Sequence, residues 1–349
     1  MNISIYLKRF WDKGHSLIYR SRSIVISIFI LFNAINFTHA QITKKAQTGF
    51  RFLENPVSAE VMGRGGVGVA TTLTSNGIFW NPALIGLIEP TADLSYNYTK
   101  GIADINYNAA AAAVHIGDFG VLGFSLLAMD YGTFVGTERA SNAQGYVETG
   151  NFSPTAIEVG TAFSQKVSNR FSYGIQVKYV HQNLGSIVFN DSTGQRKEYA
   201  QGTVAFDVGA YYDFLYNGIR FGAALQNVSR ELKYESDEFP LPFAVSFGIT
   251  VEPIQFFNKE EKTSRVILSF ESRHPRDFGE KLKFGAEYRF MEKFIARAGY
   301  EMNYDERGFS AGFGVWQEVS GIPIRVDYAF EPFGIFGNVH FISVGVSYK

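Results

Sequence analysis

Lys281-Leu282-Lys283-Phe284-Gly285-Ala286-Glu287-Tyr288-Arg289-Phe290 puts an apolar or small residue at every even position and a charged residue or glycine at every odd one. Strand side chains have a period of two, so the two sets face opposite sides of a sheet. An amphipathic helix needs apolar spacings of three and four, which this stretch lacks. The next stretch, Lys293-Phe294-Ile295-Ala296-Arg297-Ala298-Gly299-Tyr300-Glu301-Met302, keeps the rule and breaks it only at Ile295. Ile322, Ile324, Val326, Tyr328 and Phe330 then alternate with Pro323, Arg325, Asp327, Ala329 and Glu331.

Outward from there, the same period predicts fourteen strands near 91–99, 105–117, 119–131, 153–168, 170–184, 202–216, 218–229, 240–252, 263–272, 281–290, 293–303, 308–318, 321–331 and 338–348. Most reach the roughly 9–11 residues that a tilted strand needs to cross a bilayer. The connections alternate as well. Those at Asp118, Asn169, Asn217, Met291-Glu292 and Val319-Ser320 are tight, whereas 132–152, 185–201, 230–239, 273–280 and 332–337 are longer. A bacterial outer-membrane barrel has an even strand count, short periplasmic turns and longer external loops. The connection 253–262 departs from this rule, being long where a short turn is expected.

Composition agrees. Charged residues are 19% of the chain and aromatics 16%, an unusual balance for a soluble enzyme. The greasy face is rich in Phe and Tyr, and the other face in Gly, Ser, Gln, Lys, Glu and Arg. A soluble sandwich also alternates, but its inner face is aliphatic and its outer face polar. Aromatics gather near strand ends, as in Phe171, Tyr173 and Tyr179, or Tyr211, Tyr212, Phe214 and Tyr216, which is where lipid-interface girdles lie. The fold class expected is therefore all-β: a transmembrane antiparallel β-barrel of about fourteen strands in the bacterial outer membrane.

Residues 1–40 read as a signal peptide. Lys8, Arg9, Lys13, Arg20 and Arg22 precede an apolar run from Ile24 to Phe32, and Thr38-His39-Ala40 offers a small residue at the cut. An uncleaved N-terminal anchor is the alternative. These forty residues carry +4, leaving −5 on the rest, with no basic nucleic-acid footprint.

The chemistry-bearing residue types form no catalytic pattern. The chain has no Cys, so thiolate nucleophiles and zinc–cysteine sites are excluded. His15, His39, His115, His181, His274 and His340 are scattered, without a HExxH pair. Gly63, Gly65 and Gly68 formally fit G-x-G-x-x-G, but the following Val69-Ala70-Thr71-Thr72-Leu73-Thr74 is not helix-periodic, as a dinucleotide site would require. The expectation is a non-enzymatic protein with no cofactor and no metal. Lys178, Asp207, Arg220, Glu271, Lys283, Glu287, Arg289, Arg297, Glu301, Arg325 and Asp327 all fall opposite the greasy positions. They are the candidate lumen lining, either as a structural ion-pair network or as a polar pathway. In the longest external connection Phe134, Tyr146 and Phe152 are the candidate contacts for a protein partner, with plain solvated loops as the alternative.

Residues 41–90 alternate little. Ser58-Ala59-Glu60-Val61-Met62-Gly63-Arg64-Gly65-Gly66-Val67-Gly68-Val69-Ala70, followed by Phe79-Trp80-Asn81-Pro82-Ala83, resembles the N-terminal signature of the PorV/PorQ family within the FadL-like outer-membrane barrels. Arg64 stands where that family usually has a small residue. The C-terminal strand, with Ile342, Val344, Val346 and Tyr348 on one face, is similar to a barrel-assembly signal, although Lys349 rather than an aromatic comes last. The resemblance implies a lumenal hatch over 41–90 and a barrel over 91–349. Gly63, Gly65, Gly66, Trp80, Asn81, Pro82 and Ala83 would be the hatch motif, or merely a turn into the first strand. It also implies binding and handover of type IX secretion cargo at the cell surface, with secreted proteins and other secretion components as partners besides outer-membrane lipid. A FadL-type channel for long-chain fatty acids or other hydrophobic small molecules is the second implied function.

Overall fold

The computed structural model describes residues 47–54, 57–190, 195–258 and 263–348. The expected signal segment lies outside them. The strands are β1 (Ala92–Lys100), β2 (Asn106–His115), β3 (Val121–Asp130), β4 (Phe134–Arg139), β5 (Tyr146–Phe152), β6 (Thr155–Lys166), β7 (Phe171–Asn190), β8 (Gln195–Asp213), β9 (Arg220–Ser229), β10 (Leu232–Lys233), β11 (Glu238–Phe239), β12 (Ala244–Val251), β13 (Ser264–Pro275), β14 (Lys281–Phe290), β15 (Phe294–Met302), β16 (Phe309–Val319), β17 (Ile322–Pro332) and β18 (Asn338–Tyr348). Fourteen of them pair antiparallel into a closed barrel, while β4–β5 and β10–β11 form separate two-stranded sheets. The ring closes between β1 and β18, in register from Ala92 opposite Tyr348 to Lys100 opposite His340. Closure leaves no unpaired edge, a requirement where lipid offers backbone groups no hydrogen bond. Among the described residues no helix is long and apolar enough to cross a membrane; the crossing is made by strands.

Alternation becomes geometry in β15. Phe294, Ala296, Ala298, Tyr300 and Met302 are exposed on the outer surface, while Ile295, Arg297, Gly299 and Glu301 are buried inside. Ile295, the one break in the sequence pattern, points inward and is fully buried. The arrangement follows from cost, since a lysine or arginine on the lipid face at mid-membrane costs about 2–4 kcal/mol. The connection at Met291-Glu292 is a true hairpin turn, whereas those at Asp118 and Asn217 are longer than expected. Met291 (φ 54°) and Glu292 (φ 54°) are both left-handed, the geometry that matches strand twist at the centre of a tight hairpin turn.

Two expected loops are more ordered than the sequence suggests. Most of 132–152 is the β4–β5 hairpin, held by stacking of Phe134 on Phe152 with centroids 5.8 Å apart. Parts of 185–201 extend β7 and β8 past their neighbours. Asp191-Ser192-Thr193-Gly194 lies outside the described residues. The long connection 253–262 begins with a helical turn, Ile254–Phe257.

Candidate functional site

The barrel is not hollow. From residue 57 to residue 90 the chain runs within the ring and bonds to its inner wall on all sides. Ala59 N donates to Ser343 Oγ of β18 at 2.8 Å, and Gly65 N to Ser310 Oγ of β16 at 3.0 Å. Gly68 N and Val69 N both donate to Glu271 Oε2 of β13, at 2.8 and 3.0 Å. Ser75 N donates to Asp93 Oδ1 of β1 at 2.8 Å, and Gln226 Nε2 of β9 to Phe79 O at 2.9 Å. Gly63, Gly65 and Gly66 thus lie in a packed turn in which Gly65 N–H meets a wall side chain, while Gly63 N and Gly66 N donate to Ala59 O and Val61 O of the segment itself. Gly65 is left-handed (φ 69°), and a Cβ there would come within 2.7 Å of Tyr300 N.

Asn81, Pro82 and Ala83 form the second tether. Asn81 caps the helical turn Pro82–Leu87, its Oδ1 accepting from Ala83 N at 3.0 Å. Its Nδ2 donates to Val69 O at 2.8 Å and to Ala210 O of β8 at 3.0 Å. Pro82 sits at the first position of that turn, where a missing N–H costs nothing. Ala83 O accepts from Ser164 of β6 and Ser172 of β7 at 3.1 and 2.9 Å. Trp80 meets Phe79 edge-on and faces a cavity.

The charged positions opposite the greasy face are inward or near the rim, and most pair across neighbouring strands. Glu287 receives Arg64 at 2.7 Å, Arg297 at 2.6 Å and Arg289 at 2.5 Å. Arg297 also reaches Asp327 at 2.5 Å. Glu271 faces Lys283 at 3.4 Å, and Lys283 donates to Gly66 O at 2.9 Å. Lys178 pairs with Asp207 at 2.7 Å and Arg325 with Asp93 at 2.7 Å. Glu301 meets Arg307 at 2.8 Å. Arg220 lies apart from these, near the tight-turn rim, on Glu252 at 2.9 Å.

Several partners went unread in the sequence. Asp93 and Glu158 sit on the inward registers of their strands, so the period carried the signal. Arg64 stood out as a lone charge among glycines; burial among glycines calls for a carboxylate partner. Glu252 and Arg307 lie just beyond strand ends, where no period marks a face. Burial alone would push Glu252 up, but hydrogen bonds from Arg265 and the charges of Arg265 and Arg220 hold it below the usual carboxylate range. Glu54 goes the other way, raised by burial against the pull of Arg273 and Arg51.

Between the inner segment and the end carrying the long connections lies a cavity of about 410 Å³. Its walls mix Phe79, Trp80, Phe278 and Phe333 with ionisable residues from both sides of the ring. Phe134, Tyr146 and Phe152 are not part of it; all three are exposed on β4 and β5.

Comparison with known proteins separates fold from family. The toluene transporter TbuX of Ralstonia pickettii superposes with a TM-score of 0.54 at 15% identity, over 83% of this chain and 96% of that one. A FadL homologue of Pseudomonas aeruginosa gives 0.53 at 14%, over 84% and 98%. The Pseudomonas putida toluene transporter TodX gives 0.53 at 12%, over 83% and 96%. At such identities the likeness is one of fold, a FadL-like barrel. A search of curated protein sequences returns no significant relative. The model of the type IX secretion system membrane protein family PorP/SprF matches residues 67–349.

The chain belongs to the PorP/SprF family. The resemblance to PorV/PorQ is thereby corrected. Its physical source is visible: among the described residues the Asn81 side chain bonds only to backbone atoms, at Val69, Ala83 and Ala210. Such a tether answers the need to hold a chain inside a ring and does not distinguish one plugged barrel from another. This PorP/SprF protein is an outer-membrane barrel associated with type IX secretion.

Proposed function

We propose that this barrel acts in type IX secretion by binding, meeting secreted cargo or companion secretion components at its outer face and passing cargo on. Its own side chains carry out no bond chemistry. The observation behind this reading is the β4–β5 hairpin, a sheet separate from that of the ring, which presents Phe134, Tyr146 and Phe152 at 46%, 45% and 38% exposure. Exposed aromatics on a projecting element are the usual anchors of a protein interface. The packed interior supports the same reading, because a segment bonded from β1 around to β18 leaves little room for traffic.

The competing reading is a channel for hydrophobic small molecules, favoured by the aromatic part of the cavity and by the shared fold. The charged cavity walls weigh against it, since an apolar solute gains nothing from desolvating them. Cross-linking and pull-down of the tagged protein from its native outer membrane tests the choice. Secretion components recovered with the wild type and lost with Phe134→Ser/Phe152→Ser support binding. Bound lipid or hydrocarbon without protein partners, and uptake lost on gene deletion, would support the channel.

A further inference from the structure

Residues 48–54 lie at the end of the ring that carries the long connections, and Arg51, Leu53 and Glu54 form part of the cavity wall. The segment sits in a slot as a bound peptide would. Gly49 N donates to Pro240 O at 3.1 Å. Phe50 and Phe52, each 1% exposed, enter one apolar cluster with Leu127 and Val180 of the wall and Leu232 and Leu241 of the connection above it. Phe50 also stacks on Phe239, with centroids 6.4 Å apart. Between the two rings in sequence, Arg51 donates to Asp277 Oδ2 at 3.0 Å, and Thr48 Oγ1 donates to the same oxygen at 2.7 Å.

The fit is imperfect in three places. Phe50 is left-handed (φ 53°), a conformation that strains a bulky residue. Arg51 reaches Asp277 through Nη1, and that nitrogen also serves Glu54 at 2.7 Å and Thr48 at 3.2 Å. Asp277 is 3% exposed, yet its Oδ1 has no hydrogen-bond partner among the described residues. An arginine can satisfy both oxygens of a carboxylate at once, so the slot offers a bond that its occupant does not make. We propose that this slot is a peptide-binding site and that residues 48–54 are its resident, displaceable occupant. The ligand that replaces them is a segment of a partner protein with two aromatic side chains flanking an arginine. Its rings take the pockets of Phe50 and Phe52, its guanidinium pairs with both oxygens of Asp277, and its entry lifts the strap from the cavity wall. The choice of a protein partner rests on the binding role proposed above. The test uses neither the β4–β5 hairpin nor secretion, so the two readings fail separately.

The probe is a fluorescent synthetic peptide copying residues 47–54, titrated by anisotropy against the full-length mature protein in detergent. Phe50→Ser/Phe52→Ser in the protein empties the slot and should bind the peptide saturably. Wild type should bind it about tenfold or more weakly, because its own tethered strap competes. The same peptide carrying Phe50→Ser and Phe52→Ser should not saturate. Asp277→Asn in the emptied variant should weaken binding by about tenfold, as loss of a charged hydrogen bond predicts. Heat-dependent gel migration confirms that each variant forms a barrel. A nitroxide at Gln47→Cys in the otherwise native protein reads displacement directly and needs no emptied variant; it should gain mobility as peptide is added. No saturable binding to the folded, emptied variant, equal affinity for it and for wild type, or an unchanged nitroxide spectrum up to the highest soluble peptide concentration would overturn the proposal.

Discussion

Arg64 and Glu287, 223 positions apart in the chain, meet at 2.7 Å in the interior of the ring, each almost wholly buried. One comes from the inner segment and the other from β14, so this contact joins plug to wall. Glu287 is shared with Arg289 and Arg297, and Arg297 passes the network on to Asp327. Removing one member of a buried ion pair leaves the other uncompensated, at about 3–5 kcal/mol. Glu287 keeps Arg289 and Arg297, but buried Glu60, 3.4 Å from Arg64, loses its ion-pair partner, so Arg64→Ala should lose stability of that order in urea unfolding from detergent. Arg170→Ala, at an exposed turn, should stay within about 0.5 kcal/mol of wild type.

Asn81→Ala removes a cap, worth about 1 kcal/mol, and leaves Val69 O and Ala210 O without their donor. The strands should remain intact while the inner segment loosens. Hydrogen exchange should rise across residues 68–87 and stay unchanged in β14 and β15. Uniformly faster exchange in strands and segment alike would show that Asn81 stabilises the ring as a whole.

Gly299 lies against the backbone of Arg64 and Gly65, so close that an added Cβ would overlap both. Gly299→Val should therefore lift the turn at Gly63–Gly66 off β15. The expected outcome is a folded barrel in which protease cleaves the inner segment more readily. Unaltered cleavage would place the turn farther from the wall than it stands here.

Glu252 ties Arg220 of β9 to Arg265 of β13, at 2.9 and 2.7 Å. Its pKa is lowered on folding from the ordinary 4.5. A depressed carboxylate stabilises the fold above its unfolded pKa and loses that contribution as pH falls through the folded one. Wild type should therefore resist heat better than Glu252→Gln at pH 7, by a margin that shrinks below about pH 4.5. Heat-dependent gel migration at several pH values measures it.

The sequence was most legible where one physical constraint acted on every residue. Lipid on one side and a packed interior on the other impose a strict period of two, so the strands at 281–290 and 293–303 could be read almost to their ends. The hairpin at 134–152 was less legible, because both of its faces meet water and no period marks it. The partners of the charged lining were hidden for another reason. Glu287 announces an inward position, but nothing near it in the chain announces Arg64. The Asn81-Pro82-Ala83 motif signalled a held segment and misled on family, since the Asn81 side chain, among the described residues, bonds to backbone atoms.

Single-cysteine scanning along β15 tests the two-sided ring most directly, because the chain has no native cysteine. With a nitroxide at each position from 294 to 302 in bilayers, the labels at 296, 298 and 300 should show high accessibility to lipid-dissolved oxygen. Those at 295, 297 and 299 should be shielded from both oxygen and a water-soluble relaxation agent. Loss of that two-residue period, or lipid contact at Arg297 and Gly299, would contradict the barrel and the plug together.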